Sequence, residues 1–237
     1  MQEAGKLAAK ARHLAGTMIE VGITTEEIDQ ELKKFIVGNG GTPSFLGYNG
    51  FPATACISMN EEVIHGLPSQ RKLQTGDLVK VDVGAYVKGF HGDCANTFIC
   101  GETSAENVKL VEVTRESFYK ALAFCKVGYR ISDIGHAIES YVTAEGFSVV
   151  RDFIGHGIGK ALHEDPQVPN YGKPGRGIRL EAGMTLAIEP MINLGTEKVR
   201  VLDDGWTVVT QDGKASAHYE NTVLITDGQA EILTTFE

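Results

Sequence analysis

The sequence has few cysteines, no long apolar run and no excess of basic residues. Its four cysteines form no CxxC pair, which argues against a zinc knuckle. No apolar run approaches the ~18 residues of a membrane-spanning helix, and the opening stretch, MQEAGKLAAKARHLAG, lacks the apolar segment of a secretory signal. We therefore expect no membrane association, reduced thiols and a cytoplasmic protein.

The charge balance is acidic, with 22 Lys and Arg residues against 31 Asp and Glu residues and a net charge of −9. A nucleic-acid footprint needs clustered Lys and Arg, so we expect no direct nucleic-acid specificity. Hydrophobic residues make up 42 % of the 237 residues, which is ordinary for a globular protein with a packed core. Some of the many carboxylates could be buried, and buried carboxylates need a compensating partner.

The chain repeats itself. Gly22–Gly40 and Gly128–Gly146 are similar at a constant offset of 106, and both carry apolar residues at helical spacing before a closing glycine. A second pair of similar segments, each about as long as a strand, follows at an offset of 107: Leu73–Asp82 and Leu180–Glu189. We infer an α+β protein of one domain, 1–237, built of two similar halves, about 1–100 and 101–237, with the active site between them.

A hairpin is predicted over residues 78–98, with a tight turn at Lys88-Gly89. Such a turn places residue 84 opposite 93 and residue 82 opposite 95. Because side chains alternate between faces, Asp82 and Asp93 would be diagonal neighbours on one face. Two carboxylates there repel each other and lose hydration, which a metal ion between them would relieve. Turn capping or acceptance of backbone hydrogen bonds is the alternative, and the hairpin alone leaves it open.

The second half offers three more possible ligands. Glu189 ends an apolar strand over residues 185–189, and Glu220 lies in a predicted strand over residues 217–225. His156 lies in a glycine-rich stretch where the backbone can come close to a ligand. Each has an ordinary explanation when taken alone, because a strand Glu usually faces water and a lone His is usually structural.

Taken together, four carboxylates and one imidazole form a hard, oxygen-rich set that suits Mn²⁺, Fe²⁺, Co²⁺ or Zn²⁺. Four negative charges balance two divalent ions, whereas four uncompensated carboxylates in one cleft would be strongly destabilising. Two metal ions can activate water and polarise a carbonyl group. The sequence therefore predicts a dinuclear centre at Asp82, Asp93, His156, Glu189 and Glu220.

Five stretches follow one another along the chain: ELKKFIVGNGGTPSFLGYNGFPATACISMNEEVIHG, VKVDVGAYVKGFHGD, GFSVVRDFIGHGIGKALHEDPQV, AGMTLAIEPMI and DGWTVVTQDGKASAHYENTVLIT. In this order they closely resemble the type I methionine aminopeptidases of the peptidase M24 family. The resemblance implies the pita-bread fold, whose two pseudo-symmetric halves carry antiparallel sheet covered by helices. It also implies an enzyme that removes the initiator methionine of nascent or newly made polypeptides with a small second residue, by two-metal activation of water.

The resemblance further implies a role for each ligand. Asp82 would bind one metal ion, His156 and Glu189 would bind the other, and Asp93 and Glu220 would bridge the two. Glu189 would also act as the general base that takes a proton from the attacking water.

The substrate cleft is implied in the same way. His65 and His163 would line it and contact the scissile amide or the tetrahedral intermediate. An apolar pocket with aromatic walls would hold the methionine side chain, as suits a polarisable thioether. Its implied walls are Tyr48, Phe51, Cys56, Leu162 and Trp206. Phe51 and Leu162 stand where a Tyr and a Phe are common in relatives, which bears on the selectivity of the pocket.

The expected partners are peptide or nascent-chain N-termini, with the ribosome as a further candidate, and we expect a monomer. Two other functions compete: a prolidase-like peptidase of the same fold, and a non-catalytic binding module that kept the fold. The binding module is disfavoured because all five ligands and both cleft histidines are present.

Overall fold

The computed structural model describes residues 1–236, which form a mixture of helices and short strands. The helices are α1 (Gln2–Met18), α2 (Thr25–Gly38), α3 (Ala105–Leu122) and α4 (Ile131–Ala144), with a 3₁₀ turn at Tyr48–Gly50. None of the helices in residues 1–236 combines the length and the apolar character needed to cross a bilayer. All four cysteines are buried free thiols.

Helices α1 and α2 precede five strands, and helices α3 and α4 precede ten more. The strands are β1 (Thr42–Pro43), β2 (Ala55–Met59), β3 (Glu62–Ile64), β4 (Leu78–Val87), β5 (Phe90–Ile99), β6 (Ser148–Val149), β7 (Gly155–Gly157), β8 (Glu164–Val168), β9 (Thr185–Ile188), β10 (Met191–Asn193), β11 (Val199–Val201), β12 (Val208–Thr210), β13 (Ser216–His218), β14 (Asn221–Leu224) and β15 (Glu231–Ile232). Neighbouring strands pair in the orders β1-β4-β2 with β5 on β4, β13-β10-β6, β11-β12-β3 and β15-β14-β9-β7-β8. Each of these pairings is antiparallel.

The sequence repeat corresponds to matching elements. α2 and α4 have 14 residues each and start 106 positions apart, and β4 and β9 start 107 positions apart. At the first turn of α2 and of α4, Glu27 and Asp133 accept a hydrogen bond of 2.8 Å from the backbone N–H three residues earlier. Both helices are followed by a glycine with positive φ, 78° at Gly40 and 90° at Gly146.

The two halves also bury equivalent side chains. One stripe of α2 and the matching stripe of α4 are fully buried: Ile28, Leu32 and Ile36, and Ile134, Ile138 and Val142. Burial of each such side chain contributes ~1.5–3 kcal/mol. The first stripe packs with α1 against β2 and β4, and the second packs with α3 against β9 and β10. The predicted fold class is therefore confirmed. The assignment of the whole chain to one catalytic domain that divides near residue 100 stays a prediction.

Candidate metal centre and active site

The hairpin of β4 and β5 has the predicted register. Gly84 lies opposite Asp93 and Asp82 opposite Ala95. The turn uses positive φ at both central residues, 49° at Lys88 and 90° at Gly89, which matches the right-handed twist of the strands. Asp82 and Asp93 consequently lie on one face of the hairpin.

Glu189 and Glu220 face each other at a break between two strand pairs. Ile188 pairs with Asn221 and Met191 pairs with His218, so the two glutamates lie opposite each other between these pairs. The prediction that both occupy strand positions is wrong by a short distance, because each follows the end of a strand. Pro190 has no N–H to donate to the neighbouring strand, and this explains why the strand pairing is interrupted here.

His156 reaches the same place from β7. It pairs with Ala187 on β9, two residues before Glu189, and its Nε2 lies 3.6 Å from Glu189 Oε1. Its Nδ1 donates to the carbonyl of Gly157 at 2.8 Å, which leaves Nε2 free to bind a metal ion. A side chain at Gly157 would collide with the main chain of Asp165 on β8, so glycine is required where these strands approach each other.

The two halves meet along a pairing between residues 93–97 of β5 and residues 218–222, here named the seam. In its middle, Ala95 and Glu220 exchange two backbone hydrogen bonds of 3.0 and 3.3 Å. At its ends, hydroxyl groups replace the backbone pairing: Thr97 bonds to the main chain of His218, and Thr222 bonds to that of Asp93, at 2.8–3.0 Å. The seam brings a carboxylate from each half to one point.

The ligand atoms converge there. Those of Asp93, His156 and Glu220 all lie within 4.8 Å of one another and are buried. The carboxyl group of Asp82 contacts those of Asp93 and Glu220, and Glu189 adjoins His156. The structure thus places all five predicted ligands together, between the two halves, and their individual roles stay predictions.

Burial raises the pKa of all four carboxyl groups, to about 7 for Asp93 and well above the ordinary value for the others. The charge of Asp93 raises the other three further. Within residues 1–236, one oxygen each of Asp82, Asp93 and Glu220 is buried without a hydrogen-bond partner. Orphaned acceptors of this kind beside an imidazole fit divalent metal ions, which supply the missing positive charge.

Two more histidines stand at the edge of the centre. His163 lies in the loop before β8, with its ring centroid 4.2 Å from that of His156 and its Nδ1 2.9 Å from Tyr48 Oη. His65 follows β3 with a positive φ of 57°, an uncommon conformation for a residue other than glycine. Burial is the main cause that lowers the pKa of His65 and of His156 to about 4. Both imidazoles are therefore neutral near pH 7.

An apolar pocket opens beside these ligands, in a cleft of about 160 Å³. Trp206 meets Phe51 edge to face at 5.1 Å between ring centroids, while Cys56 and Leu162 are buried in its wall. The cleft is lined by all twelve of the predicted site residues, Tyr48, Phe51, Cys56, His65, Asp82, Asp93, His156, Leu162, His163, Glu189, Trp206 and Glu220, and by Phe45 and Asn49.

Three neighbours of the site were not predicted. Phe45 and Asn49 line the cleft, and nothing in a loop sequence distinguishes them from the residues around them. His218 is buried and its Nε2 lies 3.8 Å from Glu189 Oε2. Within the described residues neither of its ring nitrogens has a hydrogen-bond partner. Its position two residues before Glu220 in a strand pattern was the available signal, because such residues share a face.

Comparisons with known proteins show the family and the fold of the chain. Residues 1–227 match metallopeptidase family M24. A methionine aminopeptidase of Clostridium perfringens is 54 % identical over 99 % of this chain and 94 % of its own length. The solved structure of a methionine aminopeptidase from Thermotoga maritima superimposes with a TM-score of 0.97 at 47 % identity, covering 99 % of this chain and 95 % of the other. A prolidase from Pyrococcus furiosus shares the fold, with a TM-score of 0.81 at 23 % identity, covering 100 % of this chain and 63 % of the other.

Proposed function

We propose that this chain, a member of metallopeptidase family M24 and, within it, of the type I methionine aminopeptidases, removes the initiator methionine with two divalent metal ions held by five side chains. The activity is that of a metal-dependent hydrolase acting on the N-termini of peptides. The observation that carries the proposal for the centre is the convergence of four carboxyl groups and the free Nε2 of His156 in one buried cluster.

The proposed ligands divide by position. Asp93 and Glu220 come from different halves and meet at the seam, so they are suited to bridge two ions. Asp82 contacts both members of this pair, and His156 lies beside Glu189. Ions bound there would supply Lewis-acid polarisation of the scissile carbonyl and activation of the attacking water.

The remaining steps belong to the side chains. Glu189 accepts a proton from the attacking water, a role that its carboxylate can take from its position beside His156 in the centre. Neutral His65 donates a ring N–H to the scissile amide as negative charge develops on it. His163 is oriented by the Tyr48 hydroxyl and does the same.

The substrate follows from the cleft. The apolar pocket walled by Phe51, Cys56, Leu162 and Trp206 takes the unbranched methionine side chain. The free α-amine lies against the carboxylate centre, which explains the need for an unblocked N-terminus. A small second residue is expected because the hydrogen-bonded pair Tyr48 and His163 lines the cleft and occupies space there. Nascent chains in the cytoplasm have these N-termini, so we place a monomeric enzyme there, with the ribosome as its source of substrate.

The test is a peptidase assay on metal-stripped protein to which Mn²⁺ or Co²⁺ is restored. Met-Ala-Ser should be cleaved and Met-Leu-Ser should not, while Ala-Pro should remain intact. Cleavage of Ala-Pro in preference to Met-Ala-Ser would indicate a prolidase-like activity. Calorimetric titration should show two metal ions per chain. One site only, or none, would refute the dinuclear centre.

A further inference from the structure

Arg12 of α1 contacts the seam, and it is not among the described residues that line the substrate cleft. Its Nη1 donates to the carbonyl of Glu220 at 2.8 Å, to Asn221 Oδ1 at 3.0 Å and to the carbonyl of Ala95 at 3.3 Å. Its Nη2 donates to the carbonyl of Thr234 at 3.2 Å. One guanidinium of the first half therefore holds three separate segments of the chain.

Two of these acceptors are main-chain carbonyl groups of the seam, which carries the proposed ligands Asp93 and Glu220. Ala95 lies two residues after Asp93, and its backbone pair with Glu220 is the middle of the seam. Two of the three carbonyl groups that accept from Arg12 are the two that accept in this pair. Any change in the separation of Ala95 from Glu220 also changes the separation of the two carboxylates that meet there.

The hydrogen-bond partners of the Arg12 guanidinium in the described chain are carbonyl and amide oxygens. Within residues 1–236, no Asp or Glu forms an ion pair with it. Its side chain is part-buried, and the ring of Tyr219 lies 5.9 Å from its Cζ. These amide and carbonyl oxygens replace part of the water around the guanidinium. A planar guanidinium with several N–H groups in fixed directions suits such a set of oxygens better than the single ammonium group of a lysine.

We infer that Arg12 is a positioning residue of the metal centre, which sets the spacing between Asp93 and Glu220 by clamping the main chain of Ala95 and Glu220. The inference rests on the proposed function, because it assumes that metal binds between the two halves. Arg12 touches neither the ligand oxygens nor the substrate cleft. Its loss should therefore weaken metal binding, as loss of a supporting hydrogen-bond partner does at other metal sites.

The experiment is calorimetric titration of Mn²⁺ into metal-stripped full-length protein, for wild type, Arg12→Met and Arg12→Lys. We expect the Kd for Mn²⁺ to rise ~10–100-fold in Arg12→Met, and to rise measurably in Arg12→Lys, which keeps the charge and loses the fork. Arg130→Met is the matched control, because Arg130 also donates to a main-chain carbonyl, that of Gly177 at 2.6 Å, outside the cleft. Its Kd should equal that of wild type.

A purely structural role would lower the melting temperature of the metal-free variants and leave the Kd for Mn²⁺ unchanged, and this result would overturn the inference. If Arg12→Met does not fold, the same criterion applies to Arg12→Lys. Wild-type protein that binds no Mn²⁺ and does not cleave Met-Ala-Ser would instead refute the proposed function. Active wild type with unaltered Kd in the Arg12 variants refutes the positioning role alone.

Discussion

Replacing Asp93 by asparagine should stabilise the metal-free protein while destroying the metal centre. Asp93 is 4 % exposed, one of its oxygens has no partner in the described chain, and burial raises its pKa from 3.8 to about 7. A tenfold change in proton affinity corresponds to 1.36 kcal/mol, so ionising Asp93 in the metal-free fold costs about 4 kcal/mol. Asparagine keeps the shape of the side chain and removes the charge.

The stability of the metal-free protein should fall as the pH rises, because the folded chain holds the proton of Asp93 more tightly than the unfolded chain does. Below pH ~4 the carboxyl group is protonated in the folded and the unfolded chain, and it contributes no penalty. Between 3.8 and about 7 the folded chain binds the proton more tightly, so stability falls as the pH rises. Above about 7 the whole penalty is present. The asparagine variant lacks this contribution, and the charge that raises the pKa of Asp82, Glu189 and Glu220 is gone as well.

The assay is thermal and urea unfolding in excess chelator at about pH 5 and about pH 8. At the higher pH we expect Asp93→Asn to melt on the order of 10 °C above wild type, since ~4 kcal/mol corresponds to that shift in a chain of this size. At the lower pH the difference in melting temperature between the variant and wild type should be smaller. Asp203→Asn is the control, because Asp203 is an exposed carboxylate. With Mn²⁺ added, wild type should gain stability by mass action, and Asp93→Asn should gain little.

Two results would refute this reasoning. A variant less stable than wild type in chelator would show that the carboxylate of Asp93 makes favourable contacts in the metal-free protein. An equal difference in melting temperature at both pH values would show that the charge of Asp93 does not cause the difference in stability.

Further changes test the cleft and its supports. His65→Ala should lower kcat far more than it raises KM, because His65 acts on the developing charge, and near-normal kcat with full metal content would remove it from the mechanism. Leu162→Phe should lower the kcat/KM ratio for ethionine-Ala-Ser over Met-Ala-Ser, because the larger ring fills a buried wall; an unchanged or higher ratio would contradict that wall. Gly157→Ala should destabilise the protein by about 1–3 kcal/mol and reduce metal content by elemental analysis, because the added methyl group meets the main chain of Asp165. Gly38→Ala, which meets nothing within 4 Å, is its control, and equal effects in the two variants would argue against the close approach.

Local physics explains why parts of the fold and of the site are predictable from the sequence. A two-residue turn and the alternation of side chains are sufficient to place Asp82 and Asp93 on one face, and the register of β4 and β5 agrees. The repeat at an offset of 106 predicts two equivalent helices, because Ile28 and Ile134 occupy the same position in the same apolar pattern. Both predictions depend on contacts between residues close in sequence.

The resemblance to the M24 enzymes supplied the cleft residues, and the structure gathers all of them into one cleft. Their spacing along the chain does not itself predict this. Tyr48 and His163 are 115 positions apart and hydrogen-bonded, and no periodicity relates two loops of different halves. The same is true of Phe45 and Asn49, which share that cleft without a motif to indicate it.

Only the tertiary structure decides how the two halves meet. The pairing of Ala95 with Glu220 joins residues 125 positions apart, and the clamp by Arg12 spans 208 positions to Glu220. The amphipathic pattern of the first helix does not predict which carbonyl groups the guanidinium of Arg12 will reach. The raised pKa values likewise arise when assembly removes the four carboxyl groups from water. The sequence by itself determines the types of ligand and the local elements that carry them, whereas their spacing, burial and charge state depend on packing between distant segments, because those contacts have no local signature in the chain.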